Sequence, residues 1–107
     1  MLIYLARRFV YLKVTGNSGK IVPGFVKVVV SVNHVMDSEK PHYIQYMWLR
    51  DDKTGEVLSV KDFKANDESP PTLTVVSHQI IGKTVTPFIF CNLHGLWEGK
   101  PIKINAA

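Results

Sequence analysis

Cys91 and His94 stand three residues apart in the run Cys91-Asn92-Leu93-His94-Gly95. A thiol and an imidazole at that spacing, leaving the end of a strand, can aim sulfur and ring nitrogen at one metal ion. Gly95 lets the chain turn sharply behind them without a side-chain clash. Upstream, His34 and His42 bracket a polar loop. Loop tips and strand starts are where a β-scaffold usually places ligands. Together His34, His42, Cys91 and His94 offer one soft thiolate and three imidazoles. That donor set suits iron, copper or zinc, and it does not suit magnesium or calcium, which take oxygen ligands. The competing reading is a buried thiol beside a half-exposed imidazole, since free cysteines usually fill cores. The paired histidines of the upstream loop tip the balance toward metal. His78 lies inside another apolar run and reads as a surface or half-buried strand residue rather than a ligand.

The elements that must position these residues are short. The chain has 107 residues, the size of one domain (1–107), with residues 1–17 read as an N-terminal strand or extension. Hydrophobic residues make up 46% and charged residues 21%, an ordinary globular balance. One cysteine excludes an internal disulfide framework and any four-cysteine cluster. The net charge of +4 is mild, and the lysines are scattered, so a nucleic-acid role has no support. The apolar N-terminal run is broken by Arg7 and Arg8 and falls short of the roughly 20 residues a membrane span needs. No membrane association and a cytoplasmic location are expected.

Alternation and turn chemistry predict strands. In residues 25–32, Val26, Val28, Val30 and Val32 share one face and Lys27 and Ser31 the other. Residues 42–49 read as a second strand, with His42, Ile44, Tyr46 and Trp48 on one face and Tyr43, Gln45, Met47 and Leu49 on the other. Asp51-Asp52-Lys53-Thr54-Gly55 is a hairpin turn into a strand over 56–60. Strands follow over 72–81, 84–91 and 102–104. Pro87 cannot donate to a ladder, which predicts a sheet edge or a bulge there. Gly16-Asn17-Ser18-Gly19 and Pro23-Gly24 are turn clusters, and residues 2–12 read as a further strand. Trp48, Tyr46, Phe88 and Phe90 are expected in the core. The pattern is all-β: a sandwich of about seven short antiparallel strands.

Cys91-Asn92-Leu93-His94-Gly95-Leu96-Trp97 resembles the C-N-x-H-G-L-W signature of the superoxide reductases, or desulfoferrodoxins and neelaredoxins. His34-Val35-Met36 followed by His42-Tyr43-Ile44 is similar to that family's H-P-M-x-x-x-H-Y-I block. The resemblance covers about residues 18–104. It implies an immunoglobulin-like β-sandwich holding one mononuclear iron. Four imidazoles would lie in a plane around the metal, with a cysteine sulfur on the axis and the opposite position open. Cys91 would be the axial thiolate, and His34, His42 and His94 three of the planar ligands. Superoxide would take one electron and two protons to give hydrogen peroxide. Backbone N–H groups around Asn92, Leu93 and His94 would tune the sulfur. With no Cys-x-x-Cys pair the protein would be of the neelaredoxin type. It would draw electrons from a rubredoxin-like carrier and assemble as a homodimer or homotetramer.

The sequence departs from the family in three places. The family's fourth histidine comes from a Glu-Lys-His loop upstream, and this chain has no histidine before His34. Lys20-Ile21-Val22-Pro23 echoes that loop with isoleucine in the histidine's place; the loop reads as absent, with residues 18–32 belonging to the next strand. Its lysine, which attracts superoxide, and its glutamate have no clear counterparts; Lys40 is the candidate catalytic lysine, with Glu39 beside it, although both also read as solvated loop residues. His34 and His42 are eight apart, two more than in the family pattern, and Val35 replaces its proline. These departures keep a second reading open: a degenerate domain binding iron or zinc without turnover, on a Cys-His-His-His site. Copper is disfavoured because no methionine follows His94. A metal-free sandwich that binds another protein is the remaining alternative. Trp97 either borders the metal site or belongs to the core.

Overall fold

The computed structural model describes residues 11–15 and 25–105. Eight strands form from them: β1 (Tyr11–Thr15), β2 (Val26–Ser31), β3 (Ile44–Asp51), β4 (Val57–Asp62), β5 (Thr72–Ser77), β6 (Thr84–Cys91), β7 (Gly95–Glu98) and β8 (Ile102–Lys103). There is no helix among the described residues, so none is long and apolar enough to cross a membrane. The strands pair antiparallel in two sheets. One has the order β1-β2-β5. The other has the order β4-β3-β6-β7, with β8 also paired to β6. The protein is an immunoglobulin-like β-sandwich. Of the strand expected over 2–12, only its last two residues fall within β1. Its remainder, the two turn clusters and residues 18–24 of the stretch assigned to the next strand lie outside the described residues.

The core lies between the sheets and follows from alternation. Val26, Val28 and Val30 of β2 are fully buried, while Lys27, Val29 and Ser31 are half-buried. Opposite them sit Met47 and Leu49 of β3 and Val85, Ile89 and Cys91 of β6. Trp97 joins the same cluster and is part of the core. Burying side chains of this size contributes about 1.5–3 kcal/mol each before entropy is charged against it.

Strict alternation fails at one informative place. Ile44 pairs with Cys91, but Tyr46 pairs with Phe90, so Gln45 is an extra residue in β3. This β-bulge puts Ile44 on the inner face together with Met47 and Leu49, and not with Tyr46 and Trp48 as the sequence pattern suggests. The driving force is that Ile44, Met47 and Leu49 are all apolar, and only an inserted residue lets all three face inward.

The aromatic residues correct a second expectation. Tyr46, Trp48, Phe88 and Phe90 lie on the outer face of the five-stranded sheet, not between the sheets. Trp48 stacks on Phe88 at 5.4 Å between centroids, Tyr46 tilts against Phe90 at 6.4 Å, and the Arg50 guanidinium covers Phe88 at 4.7 Å. Phe88 is therefore buried by its own neighbours on that face.

Pro87 sits in the central strand β6, at neither an edge nor a bulge. On one side β6 pairs with β3. On the other it pairs first with β8, through Thr84 and Val85, and then with β7, from Phe88 onward. Pro87 falls in the gap between these partners, where no ladder donor is required, and its carbonyl accepts from the Gly99 N–H at 2.9 Å. β5 stops at Ser77, so His78 lies beyond the strand. It is exposed and packs edge-on against Phe25 at 4.8 Å.

Candidate metal centre

The geometry starts with the turn after β6. Cys91 pairs with Gly95, leaving Asn92, Leu93 and His94 as a three-residue hairpin loop. Such loops commonly need a left-handed residue at their end. Gly95 supplies it with φ of 78°. Cys91 lies on the inward face of β6 at the rim of the sandwich, and the tight loop folds His94 back over it. Cys91 Sγ is 3.6 Å from His94 Nδ1.

The second pair arrives from the β2–β3 connection. Val32 is the last buried valine of the β2 face, and the chain leaves the core through His34, itself buried. The His34 Nδ1 lies 2.6 Å from the Val35 carbonyl. A carbonyl only accepts, so Nδ1 carries the proton and Nε2 is left as the donor atom. The Ser69 hydroxyl donates to the His34 carbonyl at 2.9 Å, anchoring the backbone there. The eight-residue separation of His34 and His42 closes through a compact turn. Asp37 and His42 exchange backbone hydrogen bonds at 3.1 Å each way, and the Asp37 carboxylate accepts from the Glu39 N–H at 2.9 Å. The two residues beyond the family pattern are thus taken up in a self-bonded loop.

All four side chains converge. One donor atom each from His34, His42, Cys91 and His94 lies within 4.8 Å of every other. His42 Nε2 is 3.2 Å from His94 Nδ1. The His34 and His42 rings meet at 4.7 Å, and those of His42 and His94 at 4.9 Å, in each case edge-on. With metal–nitrogen bonds near 2.0–2.1 Å and metal–sulfur bonds near 2.3 Å, donors around one ion stand about 3–4.5 Å apart. The donor set and its spacing fit a single transition-metal ion. His34 and Cys91 are buried, His42 is half-buried and His94 is exposed, so one flank of the cluster opens to solvent. A cavity of about 340 Å³, lined by Asn33, His34, Val35, His42 and Ser69, adjoins it.

Lys40 and Glu39 lie exposed on the Asp37–His42 turn, and neither belongs to the donor cluster. His78 is outside it as well. The Asn92 N–H donates to the Tyr43 carbonyl at 3.1 Å and is not available to the sulfur. The anchoring roles of Ser69 and Asp37 carry no sequence signal beyond their loop positions.

The desulfoferrodoxin family model matches residues 12–100. The chain belongs to the desulfoferrodoxin family. Among solved structures, a variant of the superoxide reductase (neelaredoxin) from Archaeoglobus fulgidus in the reduced form aligns with a TM-score of 0.70 at 21% identity, over 95% of this chain and 91% of that one. The superoxide reductase (neelaredoxin) from Ignicoccus hospitalis gives 0.64 at 21%, over 91% and 80%. The superoxide reductase from Nanoarchaeum equitans gives 0.65 at 18%, over 94% and 97%. At these identities the structures establish a shared desulfoferrodoxin fold. No curated protein matches the sequence.

Proposed function

We propose that this desulfoferrodoxin-family protein is a one-iron superoxide reductase, with His34, His42, His94 and Cys91 as the metal ligands. The observation that carries this reading is the convergence of three ring nitrogens and one sulfur within 4.8 Å, drawn from two distant stretches of chain. An iron held by these residues supplies one-electron chemistry, by which superoxide, one electron and two protons become hydrogen peroxide.

The chain's own part follows from the site. Cys91 would hold the iron as the thiolate, whose electron donation would favour one-electron reduction at the metal. Burial of Cys91 and His34 keeps one flank dry, and the open flank at His94 admits a small anion. Lys40, exposed on the turn two residues ahead of His42, carries a positive charge and is the candidate residue for drawing superoxide in. Electrons come from a rubredoxin-like carrier. The remaining parts of the proposal are a single domain over 1–107, a homodimer or homotetramer, and a cytoplasmic location.

A second reading rests on the donor count. Four protein donors, one sulfur and three nitrogens, also make a closed tetrahedral zinc site without turnover. Metal analysis of freshly purified protein, a visible spectrum before and after oxidation, and a superoxide-consumption assay separate the two. Equal iron and protein, a charge-transfer band that Cys91→Ser removes, and superoxide consumption are expected. Stoichiometric zinc with no band and no consumption would replace the enzyme reading with the zinc one.

A further inference from the structure

Asn92 stands between two of the four proposed ligands, yet its side-chain amide and its backbone N–H all bond the neighbours of the third, with the Cys91 thiol also 4.0 Å from its Oδ1. Its side-chain Oδ1 accepts from the Tyr43 N–H at 2.9 Å. Its Nδ2 donates to the Pro41 carbonyl at 2.8 Å. Its backbone N–H donates to the Tyr43 carbonyl at 3.1 Å. Pro41 and Tyr43 are the residues on either side of His42. One amide side chain therefore holds both neighbours of His42 and fixes them against the Cys91–His94 loop. These bonds span about fifty residues of sequence, where a flexible connection would charge loop-closure entropy to the metal.

We infer that Asn92 is a positioning residue: it docks the His42 segment onto the Cys91–His94 hairpin so that three donors are in register before any metal arrives. The inference rests on the ligand set proposed above. Asparagine suits the task because it alone presents a carbonyl and an amide on a short stem, answering an N–H and a C=O two residues apart. Alanine answers neither. Aspartate, of the same shape, still accepts from Tyr43 but sets an oxygen against the Pro41 carbonyl.

The test is a double-mutant cycle on Zn2+ affinity, measured with the full chain by competition against a chromophoric chelator. Asn92→Ala is expected to weaken Zn2+ binding by about 10–100-fold, the usual cost of losing a ligand's supporting partner. In the His42→Ala background the same substitution should change affinity by less than about threefold, because the ligand it positions is gone. Hydrogen exchange adds a readout independent of metal. The Tyr43 amide of the metal-free protein should be protected, and Asn92→Ala should remove that protection. If Asn92→Ala does not fold, Asn92→Asp enters the same cycle; its added charge acts in both backgrounds and cancels in the difference. Equal losses in the two backgrounds, or no loss in the first, would overturn the positioning role alone. Failure of the unmodified chain to take up Zn2+ would overturn the ligand set, and this inference with it.

Discussion

At one end of the five-stranded sheet, the buried Asp51 is answered entirely by the chain. Lys83 Nζ sits 2.8 Å from its carboxylate, and the Lys53 N–H donates to it at 2.9 Å. Beside it the Thr86 hydroxyl donates to Asp52 at 2.7 Å, and Arg50 pairs with Asp52 at 3.2 Å. At the other end, a strand length of roughly 25 Å away, Cys91 and His94 turn sulfur and ring nitrogen toward each other, with His42 closing in. Both ends gather polar groups at the ends of the same two strands, β3 and β6. In the first, opposite charges meet and the cluster is complete as it stands. In the second, three ring nitrogens and a sulfur, all able to act as metal donors, crowd within 4.8 Å of one another with no opposite charge among them. The difference separates a polar cluster that holds the fold from one held by the fold.

The strongest way to break that contrast is at a ligand. Cys91→Ser should reduce metal affinity by more than the roughly 100-fold upper cost of losing a supporting partner, and His94→Ala should do likewise, both read by chelator competition. His94 is exposed, so the urea midpoint of metal-free His94→Ala should stay at the wild-type value. A metal effect of this size in an Asp51 variant would dissolve the distinction. Next in size is metal loading itself. At free metal a thousandfold above the dissociation constant, stability should rise by about 4 kcal/mol, seen as a higher thermal midpoint that a chelator reverses. Smaller again is Gly95→Ala. A side chain at φ of 78° costs about 1–2 kcal/mol, and the strained turn should also loosen the metal.

The gentlest probe is pH, applied to the metal-free protein. The hydrogen bond from Lys83 holds the Asp51 carboxyl below its ordinary 3.8, helped by the Lys53 N–H. A carboxylate lowered on folding stabilises above its unfolded value, and that contribution is lost as pH falls through the lower folded value. Lys83 is raised above 10.5 by the hydrogen bond and charge of Asp51. Its contribution is full below 10.5 and is lost as pH rises beyond it. Urea midpoints of the wild type should therefore fall at both extremes, below about pH 4 and above about pH 10.5, and Asp51→Asn should flatten both limbs.

The donor residues were legible in the sequence because cysteine and histidine spacing speaks directly of coordination, and the valine alternation of β2 was legible because period two is a local signal. The bulge at Gln45 was not. It depends on which partner Tyr46 finds across the sheet, and no local pattern states that. For the same reason the aromatic row was misplaced. Tyr46, Trp48, Phe88 and Phe90 are hydrophobic enough for either face, and their mutual stacking, with Arg50 above, makes the outer face acceptable. Pro87 misled because its tolerance arises from the handover between β8 and β7, a tertiary arrangement. Asn92 was visible in the heptapeptide, but the partners of its side chain lie about fifty positions upstream.

The inserted Gln45 works as a phase shifter. Upstream of it the even positions face inward, and downstream the odd ones do. Deleting that single residue would leave the strand one rhythm from end to end. It would then have to choose between seating Met47 and Leu49 in the interior and keeping Ile44, with the His42 approach that precedes it, on the side of the thiol. An extra amino acid in the middle of a strand is thus what allows one stretch of chain both to build the core and to deliver a ligand.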